Sequence, residues 1–255
     1  MPRISLRKLV KRFGRELVIS ELSAEIEDRE LFVVVGPTGC GKTTLLRLIA
    51  GLIKPDAGEI LFDGVRVNEL PPSERRVRMV FQGHDYALFP HLPVYRERRW
   101  SNLSFPLRLR GSTWEAIRER VGQVTARMGI RRELFPRRPG ALSEGQKQRV
   151  AVGKALVVPP QVLLLDEPLA HLDPPARAKA REEVRRLHRE LGTTTVYVTH
   201  DLAEAFLLAD RVAVMGEGRF VQVGTPQEIK ARPANAFVRE FVESYRQALH
   251  RAFSQ

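Results

Sequence analysis

The stretch that decides the fold is Gly36-Pro37-Thr38-Gly39-Cys40-Gly41-Lys42-Thr43. A continuous apolar run at 31–35 precedes it, which is typical of a strand buried on both faces. After it, residues 44–52 carry apolar side chains at helical spacing among strong helix formers. In that strand–loop–helix context the glycines let backbone N–H groups curl round an anion, and the helix N-terminus adds partial positive charge. The alternative is a glycine-rich turn that only links strand to helix, but the flanks and the Lys-Thr pair favour a nucleoside triphosphate site.

The positions of this loop have separate predicted roles. Lys42 is expected to reach the β- and γ-phosphates, and the hydroxyl of Thr43 to hold Mg²⁺. The other residues expected to bind the nucleotide are Gly36, Pro37, Thr38, Gly39, Cys40, Gly41 and Thr44. Cys40 lies near Lys42 and a helix N-terminus, both of which lower the pKa of a thiol, so thiol reagents are expected to inactivate the protein and the nucleotide to protect it. The alternative is a small residue that fills space and needs no reactivity.

Length, composition and charge limit the class of protein. A chain of 255 residues with 43% hydrophobic residues suits one globular domain with a subdomain. No apolar run approaches the ~20 residues of a membrane-spanning helix, the first residues lack the apolar core of a secretory signal, and the single cysteine suits a reducing compartment. These features predict a cytoplasmic protein. The net charge of +12 is spread along the chain, so a solvated basic surface is favoured over membrane proximity, and both over specific nucleic-acid binding.

A second apolar run, at 162–165, ends in two acids, Asp166 and Glu167. Ligands of a parallel sheet bind beyond the carboxyl ends of its strands, so both acids are expected to face the phosphate loop. Asp166 would hold Mg²⁺ through its water shell, and Glu167 would be the general base that polarises the attacking water. The alternative for such a pair is a helix cap.

A β-branched and aromatic run at 194–199 predicts a third strand, which ends at His200. The residues from Asp201 to Glu204 form a capping-box pattern that opens a helix. A lone histidine is usually structural or a surface residue, but this one follows a sheet strand and is a candidate for contact with the γ-phosphate.

Ser143 and Gln146 form another capping-box pattern, followed by a predicted helix at 147–158. One interpretation is a well-capped helix and nothing more. The other is a second anion-binding helix N-terminus that offers a hydroxyl and backbone N–H groups to a phosphate. Spacing alone does not choose between them.

Taken together, these motifs resemble the ATP-binding subunit of ABC transporters over roughly residues 4 to 240. Leu142-Ser143-Glu144-Gly145-Gln146 resembles the signature motif of that family, Val80-Phe81-Gln82 its glutamine loop, Leu169-Ala170-His171-Leu172-Asp173 its D-loop and His200 its switch histidine. Phe13 stands where the family places the aromatic residue that stacks on adenine. The segments 86–92, 223–226 and 232–235 resemble the importer branch that serves periplasmic-binding-protein systems.

The resemblance implies an α/β fold of the P-loop NTPase type, with a RecA-like mixed sheet core, N-terminal antiparallel β strands and an inserted α-helical subdomain. The ATPase domain is expected at 1–240, with its core at 1–87 and 157–225 and its helical subdomain at 88–156. A C-terminal helical tail is expected at 226–255, which overlaps the end of this domain. Within the subdomain, apolar residues from Trp114 to Met128 recur at helical spacing, and in the tail Thr225 and Glu228 form a further capping box.

The resemblance also implies residues and partners that the individual motifs do not. Gln82 would be catalytic and would complete the Mg²⁺ shell with Thr43 and Asp166. Ser143, Gly145 and Gln146 would act on the ATP held by a second copy of the chain, so that ATP joins a homodimer and hydrolysis releases it. The expected partners are transmembrane permease subunits, so the protein would associate peripherally with the cytoplasmic face of the cell membrane. No specific nucleic-acid partner is expected. The transported solute cannot be inferred from this chain.

Three departures from the family pattern limit these expectations. Glu144 replaces a glycine and adds a carboxylate near a phosphate site, where it would repel unless it points to solvent. Ala170 replaces a serine, which removes a hydroxyl from the D-loop. The stretch between Gln82 and Asn102 is longer than usual, with 83–85 and 96–100 as apparent additions, and it is either a solvated loop or a determinant of partner choice.

Two rival functions follow from the same motifs. One is a non-transport ATPase of this superfamily that acts on DNA or ribosomes, although such chains usually carry a coiled-coil insertion or tandem cassettes, which this sequence lacks. The other is a P-loop kinase, which would leave the motif at 142–146 unexplained.

Overall fold

The computed structural model describes residues 1–80, 88–170 and 174–243. The chain forms two compact units. Unit 1 comprises Met1–Val77, Gln161–Glu167 and the described residues from Arg181 onward, and unit 2 comprises Arg78–Pro160 and Pro168–Ala180. The predicted core and subdomain at 1–87, 157–225 and 88–156 stay predictions.

Unit 1 begins with a four-stranded antiparallel sheet. Its strands are β1 (Ile4–Phe13), β2 (Glu16–Ile26), β4 (Ala57–Phe62) and β5 (Val65–Arg66), in the spatial order β2-β1-β4-β5. Several apolar side chains of β1 and β2 are wholly buried, among them Leu9 and Ile19. The predicted N-terminal antiparallel strands are therefore confirmed.

The second sheet of unit 1 has a parallel core. It contains β3 (Leu31–Val35), β7 (Val162–Asp166), β8 (Thr194–Thr199), β9 (Arg211–Gly216) and β10 (Arg219–Gly224), in the order β10-β9-β3-β8-β7. β3 pairs in parallel with β8 and β9, β8 pairs in parallel with β7, and β9 and β10 form an antiparallel hairpin. Every residue of β3, β7 and β8 is buried, which confirms the strands predicted from the three apolar runs.

Four helices accompany these strands along the chain: α1 (Lys42–Ala50), α5 (Pro174–Leu191), α6 (Leu202–Leu208) and α7 (Pro226–Ala231). Arg75 stabilises the end of α1, because its guanidinium donates to the carbonyl oxygens of Leu48 and Ile49 at 2.8 and 3.0 Å. The predicted capping box of α7 is present, with reciprocal hydrogen bonds between Thr225 and Glu228. Residues 236–243 are also helical.

Unit 2 is largely helical. β6 (Val77–Val80) leads into it, and it contains α2 (Phe105–Arg108), α3 (Trp114–Arg127) and α4 (Glu144–Leu156), with short 3-10 turns at Arg132–Leu134 and Pro139–Ala141. The predicted apolar stripe of α3 faces inward through Ile117, Val121 and Val124. α3 and α4 are joined at one end by Arg120, whose guanidinium donates to the carbonyl oxygens of Leu156 and Val157.

Candidate functional site

The loop at 36–41 joins β3 to α1 and has no room for side chains at two of its glycines. A Cβ at Gly36 would lie 2.2 Å from the carbonyl oxygen of Met215, and one at Gly41 would lie 2.9 Å from that of Val18. Gly41 also has a φ of +106°, a conformation that favours glycine. The loop backbone is therefore pressed against neighbouring strands, which fixes its shape before any ligand binds.

The side chain of Lys42, the first residue of α1, lies inside this loop. That side chain is buried, and Nζ donates to the carbonyl oxygens of Gly36 and Pro37, both at 2.9 Å. The loop thus wraps around an ammonium group at the N-terminus of α1. Both the charge and the helix end favour an anion at this position.

The turn between β9 and β10 supports the loop from the side. The N–H of Gly218 donates to the carbonyl oxygen of Cys40 at 3.2 Å, and the carbonyl oxygen of Gly218 accepts from the N–H of Ser20 at 3.0 Å. Gly218 has a φ of +74°, and a Cβ there would lie 2.5 Å from the carbonyl oxygen of Val18. Gly218 belongs to no recognised motif, and its only sequence signal is a glycine between two β-rich runs.

Thr43 and Asp166 meet, although 122 residues separate them along the chain. The hydroxyl of Thr43 donates to Oδ1 of Asp166 at 3.0 Å. Burial raises the pKa of the Asp166 carboxyl, and the hydrogen bond from Thr43 opposes that rise. Asp166 therefore faces the residue that directly follows Lys42 at the end of the phosphate loop, as expected from its place at a strand end.

Glu167 and His200 also meet, beyond the ends of β7 and β8. Nδ1 of His200 lies 2.9 Å from Oε2 of Glu167, with the side chains 53% and 14% exposed. The N–H of Glu167 donates to the carbonyl oxygen of Val198 at 2.9 Å, so the strand pairing holds its backbone. Its φ is +43°, in the left-handed region that costs a non-glycine residue about 1–2 kcal/mol. This left-handed conformation ends the strand at Glu167, whose carboxylate contacts His200.

The side chain of Glu204 does not make the capping contact that the sequence pattern predicts. Asp201 does cap α6, accepting from the N–H groups of Ala203 and Glu204 at 2.8 and 3.2 Å. The predicted capping box is wrong, because the carboxylate of Glu204 turns inward and accepts from the hydroxyls of Tyr197 and Thr199. The N–H of Asp201 donates to Thr199 Oγ1 instead, at 3.0 Å. Thr199, on one side of His200, is thereby tied to the buried carboxylate, and Asp201, on the other side, is tied to Thr199.

Phe13 and Cys40 complete the unit 1 candidates. Phe13 is 48% exposed at the end of β1, with the ammonium of Lys11 5.5 Å from its ring centroid. Cys40 is buried, and burial raises the pKa of its thiol more than Lys42 lowers it. The expectation of a lowered thiol pKa is therefore wrong, because desolvation outweighs the nearby charge.

The candidates of unit 2 lie at the N-terminus of α4. Ser143 Oγ accepts from the N–H of Gln146 at 3.4 Å, and Oε1 of Gln146 accepts from the N–H of Ser143 at 3.0 Å, so the predicted capping box is present. Glu144 is exposed and forms an ion pair with Lys147 at 2.7 Å, which offsets its charge. A Cβ at Gly145 would meet nothing within 4 Å. The N-terminus of α4 is open at that glycine.

Some predicted residues lie outside the described ranges. They are Phe81 and Gln82 of the glutamine loop, the additions at 83–85, the importer-like residues 86–87, the D-loop residues 171–173 and residues 244–255 of the predicted tail. In the ranges that are described, no helix is both long and apolar enough to cross a bilayer.

Comparisons with known proteins agree with this architecture. A family model described as "ABC transporter" matches residues 19–170. The maltose/maltodextrin import ATP-binding protein MalK of Yersinia pestis bv. Antiqua (strain Antiqua) is 48% identical over 244 residues, 96% of this chain and 64% of that protein. The sulfoquinovosyl glycerol transport ATP-binding protein SmoE of Agrobacterium fabrum is 48% identical over 242 residues, 95% of this chain and 65% of that protein. The chain thus spans slightly less than two thirds of the length of these relatives.

A solved structure is similar as well. CbiO1 of Clostridium perfringens, described as part of the ABC transporter complex CbiONQ, superposes with a TM-score of 0.81 at 32% identity, covering 91% of each chain. Fold, motifs and sequence similarity lead to one conclusion: the chain belongs to the ABC transporter family.

Proposed function

We propose that the chain binds ATP at unit 1, hydrolyses it, and uses the reaction to drive import of a small polar solute through permease subunits. The observation that carries this proposal is the grouping of functional side chains at the carboxyl ends of three neighbouring parallel strands. Lys42 follows β3, Glu167 follows β7 and His200 follows β8. Ligands of such sheets bind at this edge.

The loop at 36–44 would hold the triphosphate. Its backbone N–H groups and the ammonium of Lys42 supply positive charge in a site of fixed shape, so little ordering is needed when the anion binds. Lys42 would exchange its contacts with the carbonyl oxygens of Gly36 and Pro37 for phosphate oxygens. Phe13 would stack on the adenine, which is consistent with its exposed ring at the end of a strand.

The Thr43–Asp166 pair suits a magnesium ion. A hydroxyl and a carboxylate are the oxygen donors that Mg²⁺ prefers, and they already lie 3.0 Å apart. Bound there with Gln82, the ion would offset phosphate charge and orient the terminal phosphate. A nearby cation would also favour the ionised form of Asp166, whose pKa burial raises.

Glu167 would take a proton from the attacking water, and His200 would orient the γ-phosphate. The 2.9 Å contact between Nδ1 and Oε2 holds the two side chains in one arrangement. A positioned general base contributes about 10²–10⁴-fold to a rate. Since the strained backbone and the strand pairing fix Glu167, its reach does not depend on a mobile loop.

The N-terminus of α4 would contact the ATP held by a second copy of the chain. In the capping box Ser143 Oγ acts only as an acceptor, so its own proton stays available to a phosphate oxygen. Gly145 leaves the backbone accessible, and the ion pair with Lys147 lowers the repulsion from Glu144. ATP would thus join two chains in a homodimer.

The transport role rests on the relatives. Those compared are named as ATP-binding proteins for import or transport of maltodextrin and of sulfoquinovosyl glycerol. By analogy, this chain would bind permease subunits at the cytoplasmic face of the membrane.

The dimer gives a direct test of the proposal. Glu167→Gln keeps the shape of the side chain but removes the base, so it should bind ATP and accumulate a dimer of about twice the monomer mass by light scattering. The control, Glu183→Gln, changes an acid that pairs with Arg186 in α5, and it should behave as the wild type does. A Glu167→Gln variant that stays monomeric at saturating ATP would contradict the dimer scheme.

A further inference from the structure

One part of unit 2 has no role in the proposed function. Residues 96–100 were singled out as additions to the family pattern, and the residues around 95–97 line a cavity of about 690 Å³. The opposite walls are the middle of α3, from Arg118 to Ala126, and the segment 130–136. This volume is within the range of small-molecule sites.

The floor of the cavity is apolar and aromatic. The rings of Tyr95 and Phe135 meet edge to face with centroids 5.4 Å apart, and the N–H of Tyr95 donates to the carbonyl oxygen of Phe135 at 3.0 Å. Val121 and Ile130 are buried beside them. The floor is therefore a fixed apolar surface suited to a flat molecule.

A polar group is buried in this floor without a partner. Tyr95 is only 7% exposed, and its hydroxyl has no hydrogen-bond partner among the described residues. Burial and the charge of Glu97 raise the pKa of that hydroxyl, and the charge of Arg118 lowers it; both charged residues line the cavity. Buried polar groups in native proteins nearly always have a partner, so the hydroxyl of this cavity-lining tyrosine lacks a partner that the described residues do not supply.

The rim of the cavity is basic. Its ionisable residues are four arginines and one glutamate, namely Arg96, Arg118, Arg131, Arg132 and Glu97. Glu97 forms an ion pair with Arg118 at 3.4 Å and Glu133 forms one with Arg131 at 3.0 Å, so the excess positive charge around the opening comes from Arg96 and Arg132. Arginine is suited to bidentate contacts with carboxylates and phosphates.

From the aromatic floor, the orphan hydroxyl and the basic rim, we infer that this cavity binds a small organic anion with a flat apolar body. The body would cover Tyr95 and Phe135, the hydroxyl of Tyr95 would donate to the ligand, and the arginines would hold its carboxylate or phosphate. This site is separate from the proposed ATPase function and does not depend on it.

Gly122 offers a clean way to block the cavity. It lies within α3 and lines the cavity, and a Cβ there would meet nothing within 4 Å. Gly122→Phe adds a ring at a position where the Cβ is unobstructed, whereas Gly122→Ala adds only a methyl group. Both replacements are better helix formers than glycine, so neither is expected to unfold the chain.

The experiment uses 8-anilinonaphthalene-1-sulfonate as the probe, an aromatic anion whose fluorescence rises on binding. The full chain is titrated with saturating ADP present, so that the nucleotide site is filled. The wild type should bind one probe, which phenyl phosphate displaces and inorganic phosphate displaces far less. Gly122→Phe should weaken binding by about tenfold or more, and Gly122→Ala by less than about twofold.

Two further variants test whether polar groups that line the cavity contribute to binding, in addition to the space that the cavity offers. Tyr95→Phe and Arg118→Ala should each weaken binding by about three- to tenfold. Arg138→Ala, which removes an exposed arginine outside the cavity, should have no effect. Absence of binding by the wild type, or equal affinity of the wild type and Gly122→Phe, would overturn the inference.

Discussion

Two tyrosines of this chain allow one substitution to be compared in two settings. Tyr197 and Tyr95 are both buried, but the hydroxyl of Tyr197 donates to the buried carboxylate of Glu204, whereas the hydroxyl of Tyr95 has no partner in the part of the chain that is described. Tyr→Phe removes one oxygen atom at either position and leaves the ring in place. The difference between the variants therefore isolates the hydrogen bond to Glu204.

The expected magnitude follows from the charge of the acceptor. A hydrogen bond to a charged group contributes about 1.5–3 kcal/mol, and its loss leaves one oxygen of a buried carboxylate without a donor. Tyr197→Phe should therefore lower the free energy of unfolding by about 2 kcal/mol. For a domain of this size that corresponds to a decrease in Tm of about 4–8 °C. Tyr95→Phe should not lower the free energy of unfolding, since it removes no hydrogen bond and relieves the desolvation cost of a buried hydroxyl that has no partner among the described residues.

Urea unfolding followed by far-UV circular dichroism, without nucleotide, measures both variants. Similar m-values would show that the same surface is exposed in each case. Equal losses of stability in the two variants, or no loss in Tyr197→Phe, would refute the role assigned to the Tyr197–Glu204 contact.

Three further predictions concern other parts of the fold. Gly218→Ala should lower the free energy of unfolding in urea by about 1–3 kcal/mol more than Gly64→Ala does. Both glycines have a positive φ, but of the two only Gly218 would bring a Cβ against a backbone oxygen. Equal losses in the two variants would contradict this reason. Burial lowers the pKa of Lys154 to about 8, so the unfolded chain binds more protons above that value, and stability should rise by about 2 kcal/mol between about pH 8 and about pH 10. The rise should be absent in Lys154→Met. Iodoacetamide should modify Cys40 at neutral pH at least about tenfold more slowly than free cysteine, because burial raises the pKa of the thiol. Modification as fast as that of free cysteine would contradict this cause.

The sequence predicted those features that depend on local pattern. The strands β3, β7 and β8 follow from runs of apolar residues, because a strand buried on both faces needs no polar positions. The capping box of α4 follows from Ser143 and Gln146, since both hydrogen bonds join residues three apart. The meeting of Thr43 with Asp166 follows from the rule that ligands lie at the carboxyl ends of parallel strands.

Where a feature depends on tertiary surroundings, the prediction from sequence was wrong or no prediction was made. Glu204 matches a capping box in sequence, but Tyr197 and Thr199 provide two buried hydroxyls that a carboxylate must accept from. The lowered thiol pKa of Cys40 was expected from its neighbours along the chain, yet the burial that reverses it comes from distant residues. The supporting role of Gly218 and the cavity beside Tyr95 depend on segments that only the fold brings together.

The measurement that tests the central claim most directly is the steady-state rate of ATP hydrolysis by Glu167→Gln, with Glu183→Gln as the matched control. If Glu167 activates the attacking water, kcat should fall by about 10²–10⁴-fold while the affinity for ATP stays within about threefold of the wild type, and the control should retain full activity. A Glu167→Gln variant that hydrolyses ATP at the wild-type rate would contradict the claim that this strained carboxylate is the general base.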